Sequence, residues 1–539
     1  MVELSQLLLM LSFLLLVGYH LLLVIPQSIR PSIHIPKKIV LSVTALVPVL
    51  LLVPVYNILN VLVTQFSIGL AEALPTVFLT YAVGQSALIS FFGTIILFVL
   101  TYSNQRSFQV RMIQLLLVLV LVLSSGWASH AASIAGVLGF ISNSVHLLAV
   151  SAWIGPVFVI AWFSRSIDQK KAFAAWFSPL AVLCVLAITA TGLLLMGDIV
   201  PQYVNSWMIT YGQLLLIKHI LFIPLLILGF RHSFLMRSVK KGISERNLMI
   251  SFKIESIVAI LVLAITTWMT EQTPPHEVID TLQTESISPL FSWFVDQPIL
   301  PGQTLSIEFG AGILISLMAS LVLFLIALFI LVRSSRIIVP LIVLACTSGL
   351  LYFSLMMGAT PIDMVMDETV YATKQEAISA TYSSDSVVTI HKEEELDATR
   401  VIVIYTVDQA DLVAQVLEKT TDGMKRLPAS MLTIGGSKVT EEDQKIRTFR
   451  VQSGAFSDLQ FGYTYVTFGM IQEPVDVARV QIHYEGGSYI SELEQQVFIN
   501  RTSSDELWND QHPIDFLLDD GTVIETYARQ VMEEGVYCH

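Results

Sequence analysis

Ten long apolar stretches fill the first two thirds of this 539-residue sequence, at about residues 4–25, 38–62, 76–102, 112–129, 137–163, 178–198, 211–236, 251–271, 310–332 and 337–357. Each is long enough to cross the roughly 30 Å hydrocarbon layer of a bilayer as a helix. Lipid leaves a chain few alternatives, because every backbone polar group inside it must be satisfied internally. Only 14% of residues are charged and 54% are hydrophobic, where soluble domains carry about a quarter charged residues. The charge is also divided. Up to residue 357 there are 17 Lys and Arg against 12 Asp and Glu, and beyond it 13 against 31. The sequence therefore predicts an α-helical polytopic membrane domain over 1–357 and an acidic, water-facing domain over 358–539.

The basic residues predict an orientation. Loops after spans 1, 3, 5, 7 and 9 hold 16 of the 17 cations of the membrane domain, Arg30, Lys37, Lys38, Arg106, Arg111 and Arg165 among them, and loops after the even spans hold none. The positive-inside rule makes the first set cytoplasmic. Both termini are then extracytoplasmic, and the acidic tail is an external domain. The first span has Glu3 before it and its cations after it, so it is expected to remain as an uncleaved helix rather than a signal peptide. The remaining cation, Lys218, lies inside span 7.

The tail is expected to be β-rich, of α+β type. Runs such as SVVTIH, RVIVIYTV, KIRTFRVQ, YTYVTFGMI and ARVQIHY alternate with period two, and glycine pairs at 435–436 and 486–487 punctuate them as turns. A helical piece is expected at about 409–420. Cys184 and Cys346 fall in apolar runs and only Cys538 lies in the tail, so the external domain has no internal disulfide to rest on.

Ionisable residues in hydrocarbon are costly and point to function. His146 falls in the outer third of span 5, with Trp153 seven residues on and nearly on the same helical face. In span 7, Lys218 lies seven residues past Tyr211, roughly 10 Å deeper at 1.5 Å per residue. Lys218 and His219 thus share the depth of His146. The outer ends add His130, Asp198 with Met196, His276, and Met356, Met357, Met364 and Met366, while His20 lies near the inner end of span 1. Imidazole and thioether together suit soft or borderline metals, copper above all. A lone histidine can equally be a hydrogen-bonded packing residue, methionine is a common gap filler, and Trp153 reads first as packing. Cys538 and His539 could bind copper but read first as a frayed terminus. Two histidines at one depth on different helices can share an ion. Lys218 is no ligand while protonated, but it can orient or gate.

The segments SNSVHLLAVSAWIGPVFVIAWF, SPLAVLCVLAITATGLLLMGD and WMITYGQLLLIKHILF resemble the core of the CopD family of copper-resistance and copper-uptake membrane proteins. The family's motifs fall on His146, Trp153 and Gly155, on Thr191 and Gly192, and on Tyr211, Gly212 and Lys218. The TPP at 273–275 is similar to the family's exit from the membrane. The resemblance covers roughly residues 125–275. It implies copper as a transported or bound substrate, with the lipid bilayer, the copper ion and an extracytoplasmic copper-binding protein as partners. The sequence departs from the pattern at Pro156, where a second glycine is usual, and in His219, which adds a possible ligand. It also lacks the N-terminal CopC-like domain of some relatives and adds the acidic tail.

Three readings follow. In a copper permease, His130, Met356 and Met357 would collect the ion outside, His146 and His219 would hold it midway, and Lys218 would gate it. In a membrane redox protein, His146 and His219 would ligate a b-type haem. In a receptor or assembly factor, the external domain would recognise a partner. A phosphate-binding P-loop, a phosphorylation motif of cation pumps, a nucleophile elbow, a zinc-protease helix and a dinucleotide loop are all missing from the sequence, so no enzyme is expected. Basic nucleic-acid patches are missing too.

Overall fold

A computed structural model describes residues 2–64, 68–103, 107–167, 169–237, 245–275, 278, 281–282, 286–295, 303–333, 337–362, 369–434, 439, 444–452, 463–472, 477–506, 508 and 512–526. Among these residues, ten helices are long and apolar enough to cross a membrane. The chain is a multi-pass membrane protein followed by a β-rich domain, in agreement with the sequence reading.

Helix α1 (Val2–Val24) is buried along much of its length and packs against α2 (Lys37–Thr64), α5 (Phe108–Trp127), α6 (His130–Phe163) and α9 (Glu245–Met269). Its closest approach is at Gly18 and Gly155. A Cβ on Gly18 would lie 2.3 Å from the carbonyl oxygen of Gly155, and one on Gly155 would lie 2.6 Å from that of Leu14. Apolar burial drives little helix association inside lipid, so small residues that let backbones touch are what hold such a pair together.

Two spans differ from expectation. The stretch predicted at 76–102 is a short helix α3 (Leu70–Leu79) followed by α4 (Ala82–Tyr102). The chain turns at Tyr81, whose backbone is extended, and Gly84 accepts the carbonyl of Val77 where a side chain would clash. Helix α6 starts at His130 rather than 137. It is broken at Ala135 and Gly136, and Gly136 takes φ +53°, a conformation that costs glycine little. The predicted start at 137 is where the unbroken part begins. Helices α7 (Lys170–Ile199) and α8 (Thr210–Arg237) follow, and α10 (Ala311–Arg333) with α11 (Ile338–Gly358) forms a peripheral hairpin joined by a Ser316–Ser354 hydrogen bond. Strand β1 (Thr304–Ile307) pairs antiparallel with β2 (Ala359–Ile362), closing that hairpin at its base.

In the C-terminal domain, β3 (Val370–Tyr371), β4 (Val388–Glu395), β5 (Arg400–Val407), β6 (Asp411–Thr420) and β7 (Gly423–Ile434) form one sheet in the order 3-7-6-5-4. Strands β8 (Gln444–Gln452), β9 (Tyr463–Ile471) and β12 (Val497–Ser504) form a second, in the order 12-9-8. Strands β10 (Arg479–Tyr484), β11 (Gly487–Glu492), β13 (Ile514–Leu517) and β14 (Val523–Thr526) form a third, in the order 11-10-13-14. Ile402, Ile404, Leu412, Ala414 and Val416 face Phe449, Val466 and Phe468 across one core. Val401, Val403, Val413 and Leu417 on the opposite face pack on α12 (Lys374–Ser379) through Ala377 and Ile378.

This two-faced burial corrects the helix expected at 409–420, which is strand β6 after a turn at Asp408 and Gln409 with φ of 52° and 57°. Leu412, Val413, Val416 and Leu417 mimic helical spacing, but a central strand buried on both faces is apolar at every position and loses its alternation. The glycine pair at 486–487 is the β10–β11 turn, with Gly487 at φ +147°. The pair at 435–436 lies outside the described residues.

Candidate intramembrane metal site

Helices α6, α7 and α8 bring the candidate residues into the membrane from three directions. His146 on α6 lies half-buried against α7, where its Nδ1 is 3.0 Å from the Thr191 hydroxyl. That hydroxyl donates its own proton to the Ala187 carbonyl at 2.6 Å, so it accepts from the Nδ1–H of His146. The tautomer this fixes leaves the Nε2 lone pair for a ligand. Gly192 lies beneath the ring, and a Cβ there would be 3.6 Å from Cε1. One residue of the α7 motif thus orients the histidine, and its neighbour lies in contact range of the ring.

His219 is exposed on α8, and its Nδ1 is 2.9 Å from the hydroxyl of Tyr203 in the loop before that helix. The rings of Tyr203 and His219 lie 5.6 Å apart, and Tyr203 also meets Trp207 edge-on. His146 and His219 therefore bond to different partners, one on α7 and one in the α7–α8 loop. The half-buried Lys218 ammonium acts electrostatically on both rings. Among the described residues no group of three His, Cys, Asp or Glu side chains could hold a metal ion.

The outer methionines part company. Met356 is 1% exposed in a core with Trp207, Met208, Leu216 and Ile220, and its sulfur accepts from Gln213 Nε2 at 3.3 Å. The same amide donates to the Trp207 carbonyl, and Tyr352 donates to Gln213 Oε1 at 2.6 Å. Met357 is 50% exposed, because successive helical residues point about 100° apart. Met208, which the sequence reading passed over, is the thioether that shares the core of Met356. His130 is exposed at the start of α6, behind the Ser129 cap. His276, Met364, Met366, Cys538 and His539 lie outside the described residues.

Tyr211 is buried against Val200, Ile209, Leu214 and Met269. Trp153 meets Phe222 edge-on at 6.4 Å and belongs to a different place, beside Gly229 and Glu255. A Cβ on Gly229 would be 3.2 Å from the indole and 3.5 Å from Glu255 Oε1. Glu255 marks a cluster that the sequence reading missed. Its carboxylate pairs with His232 Nδ1, while His232 Nε2 lies 2.6 Å from Ser251 Oγ, to which Arg231 also donates at 2.7 Å. Glu255, His232 and Arg231 are all buried. The signal was there, an acidic residue within the apolar run ISFKIESIVAI.

Residues 171–269 match the family model described as Copper resistance protein D. These central helices are thus similar to the CopD family. The CopD segment spans α7 to α9 and so includes Thr191, Lys218, His219, His232 and Glu255, while His146 touches it from α6. The chain is also similar to the "Copper transport protein CutJ" of Bacillus subtilis (strain 168), 30% identical over 165 residues that cover 29% of this chain and 30% of that protein. It therefore spans less than a third of the length of that curated relative. No solved structure matches.

Proposed function

We propose that the protein is a copper permease of the bacterial cytoplasmic membrane, importing copper through an intramembrane histidine site. The observation that carries this reading is the meeting of His146 with Thr191 of the CopD segment, which leaves Nε2 available. The matched relative's name, a copper transport protein, supports copper as the cargo. The ion would enter at the end opposite the basic loops, pass the buried thioethers of Met208 and Met356, and pause between His146 and His219. Neutral imidazole and thioether suit copper and leave calcium and magnesium unserved. Lys218 would keep a resting cation out while charged, and would yield when a cation and its counter-ion arrive together. Both termini and the β-rich domain would lie outside, where an extracytoplasmic copper-binding protein could deliver the ion.

Cell-associated copper in a copper-limited host is the test. Cells with the intact protein should accumulate more copper than vector controls, and His146→Ala combined with His219→Ala should remove the excess at matched expression. Equal copper in all three cultures would overturn import. An excess that survives the double substitution would overturn the histidine site.

A further inference from the structure

The second buried cluster lies at the end of the bundle that carries the basic loops, and the copper site makes no use of it. Glu255 is wholly excluded from solvent, and its Oε1 has no hydrogen-bond partner among the described residues. Its other oxygen faces His232 Nδ1. His232 stacks flat on Phe252, with ring centroids 4.2 Å apart and planes within 3°. On α1, which packs directly against α9, His20 is 1% exposed, and neither of its ring nitrogens has a hydrogen-bond partner among the described residues.

A static ion pair that only ties α8 to α9 would not be built this way. A permanent carboxylate in apolar surroundings needs several donors, and an unmatched buried polar atom calls for an explanation. Ser251 also fits a changing partner. Its hydroxyl accepts from Arg231 and can either donate to Nε2 of a neutral His232 or accept from Nε2–H of the imidazolium. One rotor thus accommodates both charge states of the same ring.

We propose that the His232–Glu255 pair is a proton-exchange site, with Ser251 as its adaptable partner and Trp153 as its lid over Gly229. With one proton bound, it is shared between His232 Nδ1 and Glu255 Oε2. Releasing it leaves a neutral imidazole beside a carboxylate, and the cluster becomes more negative by one charge. A monovalent cation reaching this end of the bundle as the proton departs keeps the local charge constant. The titratable residues that the neighbouring elements carry toward this end are Tyr19 and His20 on α1, Arg231 on α8, and Lys253 on α9, whose ammonium lies 5.5 Å from the Trp162 ring centroid. Helix α6 brings no titratable side chain over 147–163, and α7 brings Lys170, Lys171 and Cys184, with Asp198 at its far end. As a link between copper and proton movement the site rests on the transport reading above, but as a proton site it stands apart from it.

Infrared difference spectra of the purified full chain in lipid, taken across about pH 5 to pH 9, test the proton site. A carboxylic C=O band should grow as pH falls and vanish in Glu255→Gln. In His232→Gln it should persist but appear at a different pH, which guards against misfolding of the first variant. Identical spectra for the parent and Glu255→Gln would overturn the proposal. The coupling is read in proteoliposomes holding a pH dye and supplied with copper(I) alone. The intact protein should move protons against copper, and Glu255→Gln should lose the pH change. Copper uptake with no pH change in the intact protein would overturn the coupling. No copper uptake at all would sink the transport reading, while the infrared spectra still decide the proton site.

Discussion

At the scale of single residues, chemistry is set by what each side chain can trade a proton with. His146 owes its tautomer to Thr191, whose hydroxyl is committed to Ala187. Thr191→Val should leave the helix intact and free the ring to adopt either tautomer, weakening copper(I) binding by about tenfold on the scale of lost metal-supporting partners. Competition with a chromogenic copper(I) chelator would measure it. Outside the membrane, His512 is 5% exposed, its Nε2 is 3.1 Å from the Thr448 hydroxyl, and its ring meets Tyr484 edge-on at 4.4 Å. Burial pushes its pKa down to about 4, below the ordinary value near 6.5. The unfolded chain then binds this proton more readily than the folded one. The stabilisation is complete above about pH 6.5 and is lost as pH falls toward 4, amounting to about 3 kcal/mol. Hydrogen exchange of the β-rich domain should show this loss, and His512→Gln should flatten it. Histidines in apolar runs were legible from sequence because they break a pattern. The pairing of Met356 with Met208, and not with its neighbour Met357, was not, because it depends on how a loop folds back over a helix end.

At the scale of elements, the apolar runs announced their own number but not their joints. Nothing in LAEALPTVFLTYAVGQSA separates α3 from α4 except a turn at Tyr81, and apolar residues continue on both sides of it. Strand β6 misled for a related reason, since burial on both faces erases the period that distinguishes strand from helix. The α1–α6 contact was equally hidden, because Gly18 and Gly155 lie far apart in sequence and each is an ordinary glycine alone. Gly155→Leu should part these helices and destabilise the bundle by about 1–3 kcal/mol or more, the range of overpacked cores. Gly136→Leu, where a Cβ would meet nothing within 4 Å, should instead cost about 1 kcal/mol through its left-handed backbone. Thermal unfolding in detergent would rank the two.

At the scale of the whole molecule, the division of charge at residue 358 and the one-sided distribution of cations were the most legible features of the sequence, and the number of apolar spans is the one that the helices among the described residues match. The orientation they predict is checked in a background with its three native cysteines replaced by serine. Asp422→Cys, at the exposed turn between β6 and β7, should react with an impermeant maleimide in intact cells. Ser103→Cys, at the end of α4, should react only after permeabilisation. The reverse pattern would turn the protein over. The β1–β2 pair also bounds the distance between the membrane helices and the C-terminal domain. It pins the chain at Ile362, and six residues separate that point from Thr369. At full stretch that leash reaches about 25 Å. On the proposed reading, an ion or carrier captured by the acidic domain would be held near the membrane surface at an effective concentration on the order of millimolar, so a weak grip there would be sufficient and a tight one would only slow the hand-over.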